Sequence, residues 1–245
     1  MATQLQPPLE LAVNVQAPTL LSLLMSDLRS KARWCYGRSD WKAVIKALLT
    51  DGTTAMVLYR LMQWSRKWRL LPLEMAFNKL NGACCSCVIG RGAELGPGFV
   101  LIHSQGVVIN GQVRGGSNVF IEHQVTIGAE RRENPVLGCD IFVGAGAKII
   151  GSVSIGDGAR VGANAVVVHD VPAGATVVGI PARVVRRRKS GSGAPNEAVP
   201  AFDNERPRAG LDTSPVLKES QASPNGTCEV STSNPRFEAR LNREG

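Results

Sequence analysis

The chain contains three histidines, His103, His123 and His169. They restrict where proton transfer near neutral pH can take place, because histidine is the side chain whose ordinary pKa lies there. His103 and His123 are twenty positions apart, and His169 stands next to Asp170. Side chains suited to anions occur in two places. Arg131, Arg132 and Asn134 lie in the charged stretch AERRENPV at 129–136, and Arg183 opens a basic run that continues through Arg186, Arg187, Arg188 and Lys189. Cys84, Cys85 and Cys87 form a tight group, but no second Cys/His pair lies at the spacing of a tetrahedral zinc site. No metal is therefore expected, and these thiols are expected to be structural.

The elements that must position these groups follow from a period of six. Ile, Leu or Val recurs at Ile89, Leu95, Leu101, Val107, Val113, Val119 and Val125, and again at Leu137, Val143, Ile149, Ile155, Val161 and Val167. The gap falls at Arg131. A six-residue period drifts out of phase with a 3.6-residue helix and cannot be a simple alternating strand. It is the signature of a parallel β-helix, in which each hexad makes one flat face and three faces make a coil of eighteen residues. The class is mainly β, and small or β-branched residues two places before each core position would complete the interior. On this pattern His103, two residues after Leu101, and His123, two before Val125, are one coil of eighteen plus two apart. They are expected on neighbouring coils, one above the other. His169 falls near the last coil and is expected at a solvated corner.

The 245 residues carry a net charge of +8 and only 5% aromatic side chains. An anionic partner is plausible, but the basic run lacks the interleaved aromatics of a single-strand nucleic-acid groove, so nucleic acid is not expected. The apolar run Leu20 to Met25 is not preceded by a basic residue and is too short to span a bilayer. A cytoplasmic protein without disulfides is expected.

Four segments result. Residues 1–18 are rich in Pro, Gln and Ala and are expected to be loose. Residues 19–82 show apolar spacing of three and four and are expected to be helical, punctuated at Gly37, Asp51-Gly52 and Gly82. Residues 83–185 form the solenoid, with 129–136 bulging from one corner as a loop. Residues 186–245 are basic and then rich in Ser, Gly, Pro and Asn, which predicts disorder.

Taken together, Ile102-His103-Ser104-Gln105-Gly106-Val107-Val108-Ile109, Val125-Thr126-Ile127-Gly128, Val143 to Gly151 and the closing Gly179-Ile180-Pro181-Ala182-Arg183 resemble the hexapeptide-repeat acyltransferases, and within them the serine acetyltransferase group. Tyr59-Arg60 followed by Trp64 is similar to that group's helical region. The resemblance implies a left-handed β-helix and acetyl transfer from acetyl-CoA to the hydroxyl of L-serine, the first step of cysteine synthesis. It also implies His103 as general base and a homotrimer or dimer of trimers with sites between solenoids. Backbone amides near Gly128, Ala145 and Ala163 would line the pantetheine arm, and Arg183 would meet the CoA phosphates.

The chain departs from that group at the acceptor. Ile102 stands where an acid is usual, Val88 where an aspartate would orient the imidazole, and Glu133 and Asn134 where an arginine–histidine pair would meet the serine carboxylate. Arg131, Arg132 and Asn134 remain the candidates for acceptor binding. A second branch, the colanic acid and exopolysaccharide acetyltransferases, is also similar around His103 and His123. It implies a sugar hydroxyl as acceptor, with His123 orienting His103 or binding that acceptor. A non-catalytic solenoid scaffold is the third alternative.

Overall fold

The structure, a computed structural model, describes residues 18–187. The expectations for the N-terminal stretch before residue 18 and for the tail after residue 187 lie outside the described residues.

Four helices come first: α1 (Leu20–Tyr36), α2 (Trp41–Leu48), α3 (Thr53–Lys67) and α4 (Leu71–Cys85). Thr19 caps α1 by accepting from the Ser22 N–H at 3.2 Å, and Gly37, at φ 66°, closes it through a bond to the Arg33 carbonyl. Gly82 does not end α4 as expected; the helix continues to Cys85, and Ser86 at φ 49° ends it. A glycine inside a helix costs only about 1 kcal/mol, which packing against α3 offsets.

The helices are not a separate globule. Ala55, Met56, Tyr59 and Met62 of α3 belong to the same buried core as the solenoid, and a smaller core of Leu28, Ala32, Ala43, Val44 and Ala47 joins α1 to α2. Trp34 lies against Phe120 and Phe142 with ring centroids 5.3 and 5.4 Å away. Arg60 grips Asp27 with two bonds, of 2.7 and 3.0 Å, and donates to the carbonyls of Leu95 and Gly96. Asp27 in turn accepts from the N–H groups of Gly98 and Phe99. Both side chains are buried, so this pair bolts α1 and α3 to the first coil. Trp64 remains 37% exposed and takes no part in that core.

The solenoid is a left-handed parallel β-helix. Its first coil is β1 (Val88–Ile89), β2 (Glu94–Leu95) and β3 (Val100–Leu101). The second is β4 (Val108–Ile109), β5 (Arg114–Gly115) and β6 (Val119–Ile121), and the third is β7 (Thr126–Gly128), β8 (Val136–Leu137) and β9 (Ile141–Val143). The fourth is β10 (Lys148–Ile150), β11 (Ser154–Ile155) and β12 (Arg160–Val161). A fifth turn keeps β13 (Val166–Val167) and β14 (Ala175–Val178), with a lone bridge from Ile155 to Val171 on the middle face. Finally β15 (Arg183–Arg187) folds back antiparallel on β14.

All thirteen hexad positions are buried, none more than 4% exposed. The coils are nevertheless not uniform. Ile89 pairs with Ile109, Ile109 with Ile127, Ile127 with Ile149, and Ile149 with Val167. The coils therefore advance by 20, 18, 22 and 18 residues. Two extra residues sit at 102–107 and four more at 129–135, and together they make one hexad. The register expected to be retained across a single gap at Arg131 thus slips twice. Val107, Val113, Val119 and Val125 fill the row two places before the strand positions, which are Ile109, Gly115, Ile121 and Ile127. Both rows are apolar, which is why the sequence conceals the first slip.

Among the described residues Cys35, Cys84, Cys85 and Cys87 are free thiols. The expectation of no disulfides extends beyond the described residues, because Cys228 lies outside them. Among the described residues no helix is long and apolar enough to cross a membrane, and no group of three or more His, Cys, Asp or Glu could hold a metal ion.

Candidate active site

The longer corner of the first coil carries His103. Its two extra residues push the 102–107 segment away from the prism, where Gly106, at φ 70°, donates to the carbonyl of Ser86 at the end of α4. The turn between α2 and α3 approaches the same corner from the other side. There Asp51 places Oδ2 3.0 Å from Nδ1 of His103. A carboxylate at that distance accepts a hydrogen bond from Nδ1–H, so the imidazole holds the tautomer with Nδ1–H and presents a lone pair at Nε2. Burial alone would raise the Asp51 carboxyl, but hydrogen bonds from His103, from the Gly52 N–H and from Gln105, with the charge of His103, hold it below the ordinary carboxylate value.

Two features make this approach possible. Gly52 has φ 77°, and a Cβ there would meet the Leu101 carbonyl oxygen at 2.5 Å, so only glycine fits. Lys31 of α1 is fully buried. Its Nζ donates to the carbonyl of Asp51 and to those of Leu101 and Ile102, the last two at 2.6 and 3.4 Å. Neither Asp51 nor Lys31 was identified from the sequence. Asp51-Gly52 has the form of an ordinary helix break, and its functional neighbour lies 52 positions away. The orienting carboxylate missing at Val88 is supplied by the helical region instead.

The strand register aligns a column along this edge. Leu101, Ile121, Val143, Val161 and Val177 are matched on successive coils, so two residues beyond them His103, His123, Ala145, Ala163 and Gly179 occupy equivalent corners. The two histidines lie one above the other on neighbouring coils as expected, with ring centroids 5.9 Å apart and meeting edge to face at 74°. His123 does not hydrogen-bond to Nδ1 of His103, which faces Asp51; its own Nδ1 is 3.7 Å from Glu122. Arg183 pairs with Val178 beside Gly179, at the upper end of the column. Gly128 is not on this edge. It ends β7 at the next corner, where its carbonyl accepts from the Gly151 N–H at 3.1 Å.

Arg131, Arg132 and Asn134 also lie at that next corner. Arg131 and Arg132 adopt positive φ, and Asn134 donates to Gln112 at 2.8 Å and to the Arg132 carbonyl at 3.2 Å. One chain therefore does not bring this loop together with His103. His169 follows β13 and is exposed. Beside the His103–Asp51 pair a cleft of about 220 Å³ is lined by Thr50, Asp51, Cys85, Ser86, Ser104 and Gln105 among others.

This arrangement can move a proton to and from a hydroxyl placed at Nε2 of His103, and it can support an extended ligand along a column of backbone corners. Residues 134–169 match the family described as bacterial transferase hexapeptide (six repeats). A serine acetyltransferase of Helicobacter pylori is 36% identical over 154 residues, covering 61% of this chain and 88% of the relative. A soybean serine acetyltransferase solved in complex with serine superposes with a TM-score of 0.61 at 33% identity, over 69% of this chain and 70% of that one. A serine acetyltransferase complex with CoA gives 0.62 at 26% identity, over 68% and 69% of the two chains.

Proposed function

This chain belongs to the serine acetyltransferase family, and from that premise we propose that it transfers acetyl from acetyl-CoA to the hydroxyl of L-serine. The observation that carries the reading is the His103–Asp51 pair at the foot of the column that continues through His123, Ala145 and Ala163. With Nδ1–H held by Asp51, Nε2 of His103 takes the proton of the acceptor hydroxyl while the hydroxyl oxygen attacks the thioester carbonyl. The same nitrogen returns the proton to the departing CoA sulfur, so His103 ends the cycle as it began. His123, one coil further along, binds the acceptor.

The pantetheine arm would lie along the corners at Ala145 and Ala163, with the phosphates near Arg183. The alignment of these three with His103 supports the assignment, whereas Gly128 would touch the cofactor only from another corner. Arg131, Arg132 and Asn134 meet an acceptor in a neighbouring chain's site. Their separation from His103 within one chain supports a trimer with shared sites.

The test is acetyl-CoA consumption with L-serine by the purified protein beside H103A, with CoA binding measured in both. Turnover lost in the variant while CoA still binds upholds the reading. No turnover with L-serine but intact CoA binding transfers it to a sugar hydroxyl, and absent CoA binding leaves a scaffold.

A further inference from the structure

We propose that Lys31 is a positioning residue for proton transfer: from the interior of α1 its ammonium fastens the Asp51 turn to the strand end that carries His103, and so sets the apposition of the pair. The inference rests on the reading of His103 as the base. Lys31 touches neither the imidazole nor the Asp51 carboxylate. It bonds the backbone on either side, the Asp51 carbonyl from the turn and the Leu101 and Ile102 carbonyls just before His103. Three carbonyl oxygens around one ammonium suit its three donors. Of the two segments joined, one contributes the carboxylate and the other the imidazole, and Gly52 lets them close to contact.

A buried lysine is an expensive way to join two loops, and a neutral polar side chain would do so at lower cost. The positive charge has a specific use here, since it lies beneath the Asp51–Gly52 turn and favours an ionised Asp51. Burial pushes the Lys31 ammonium down to about 8, against the opposing pull of Cys35 on its own helix, Asp51 on the turn and Glu122 at the second corner. Below that pH the clamp is charged and complete. Above it a neutral amine with two hydrogens cannot satisfy three carbonyls, and the turn is released.

The sign for stability is opposite to the sign for activity. The folded value lies below the ordinary 10.5, so burying the charge costs stability below about pH 8 and that cost is relieved between 8 and 10.5. Activity lost over this window through Lys31 is therefore not lost through unfolding.

The experiment compares wild type, K31M, D51N and the double variant by steady-state rates and by ¹⁵N spectra of the three histidine rings. K31M is expected to lower kcat about 10- to 100-fold, the scale of misplacing a reacting group, with KM for acetyl-CoA within about twofold. Its His103 signals should lose the Nδ1–H tautomer, and K31M/D51N should be no slower than D51N alone. Lys31 is overturned as a positioning residue if K31M leaves kcat and the His103 tautomer unchanged, or if the two single losses multiply in the double variant, as independent structural damage would.

Should K31M fail to fold, the wild-type protein still decides. Its His103 ring signals must change as pH rises through the range between about 8 and 10.5 in which Lys31 loses its proton, and a constant His103 tautomer across that range overturns the proposal. The spectra require no acceptor, so a protein that does not turn over L-serine still tests Lys31.

Discussion

Asp51 reaches His103 from the turn between two helices, 3.0 Å away across 52 residues of chain. The carboxylate therefore comes from a different structural unit than the imidazole it orients. In D51N the amide can present its NH₂ group to Nδ1, and the ring then favours the tautomer protonated at Nε2, where no base remains. A loss in kcat of about 10²- to 10⁴-fold is expected, measured with acetyl-CoA saturating, while CoA binding is unchanged. Because Asp51 is held below the ordinary carboxylate value, its charge persists above that value and is lost only as pH falls through the lowered one. The acid limb of the wild-type rate profile should therefore not come from Asp51.

Gly52 makes that approach sterically possible. G52A places a methyl group 2.5 Å from the Leu101 carbonyl oxygen at a positive φ, so the turn must retreat. The αL conformation alone costs roughly 1–2 kcal/mol for a residue with a Cβ, or about 2–8 °C in Tm. Activity should fall further than this loss of stability explains, which a comparison of kcat with the fraction folded checks.

The buried Arg60–Asp27 pair is the bolt between helices and solenoid. R60M leaves Asp27 without its guanidinium in a site 1% exposed, where burial already raises its carboxyl, and a loss of about 3–5 kcal/mol is expected. R60K should recover part of it, since a single ammonium replaces a fork that also meets Leu95 and Gly96. Urea unfolding of the three proteins tests the order wild type, R60K, R60M.

If the loop at 129–135 serves a neighbour's site, R131A/R132A raises KM for the acceptor more than for acetyl-CoA. Subunits of H103A and R131A/R132A, each impaired alone, should complement when co-refolded. Random mixing in a ring would restore about a quarter of the sites, because each needs an intact corner and an intact loop from different chains. No recovery on mixing would place the loop and His103 in the same functional unit, or neither in a shared one.

Burial pushes the Cys87 thiol up to about 12, so it remains protonated at neutral pH and is unreactive as well as inaccessible. The folded value lies above the ordinary 9.0, so its contribution to stability is complete below 9 and is lost as pH rises towards 12. Iodoacetamide at pH 8 should label the exposed Cys84 and leave Cys87 untouched, with mass spectrometry as the readout.

The hexad was legible in the sequence because it is a local, repeated burial requirement: each position from Ile89 to Val167 faces the same narrow interior. That His103 and His123 lie on neighbouring coils was legible for the same reason, but their alignment at equivalent corners was not, because it depends on the coil between them being twenty residues long. The helical contribution was legible only as amphipathic spacing, and the slip at 102–107 was hidden because two apolar rows exchanged roles. The pairing of Asp51 with His103 and the placement of Lys31 beneath both were not legible at all. A repeating pattern reports which side of a strand faces inward, and that is decided within a few residues. Which helix turn meets which corner depends on how α1 and α3 dock on the solenoid, through Arg60 and Asp27 on the first coil and Trp34 on the second and third. The sequence by itself thus determined the scaffold and the corner on which His103 stands, and only the tertiary structure decided that Asp51 meets that histidine, because a contact between distant segments leaves no periodic trace.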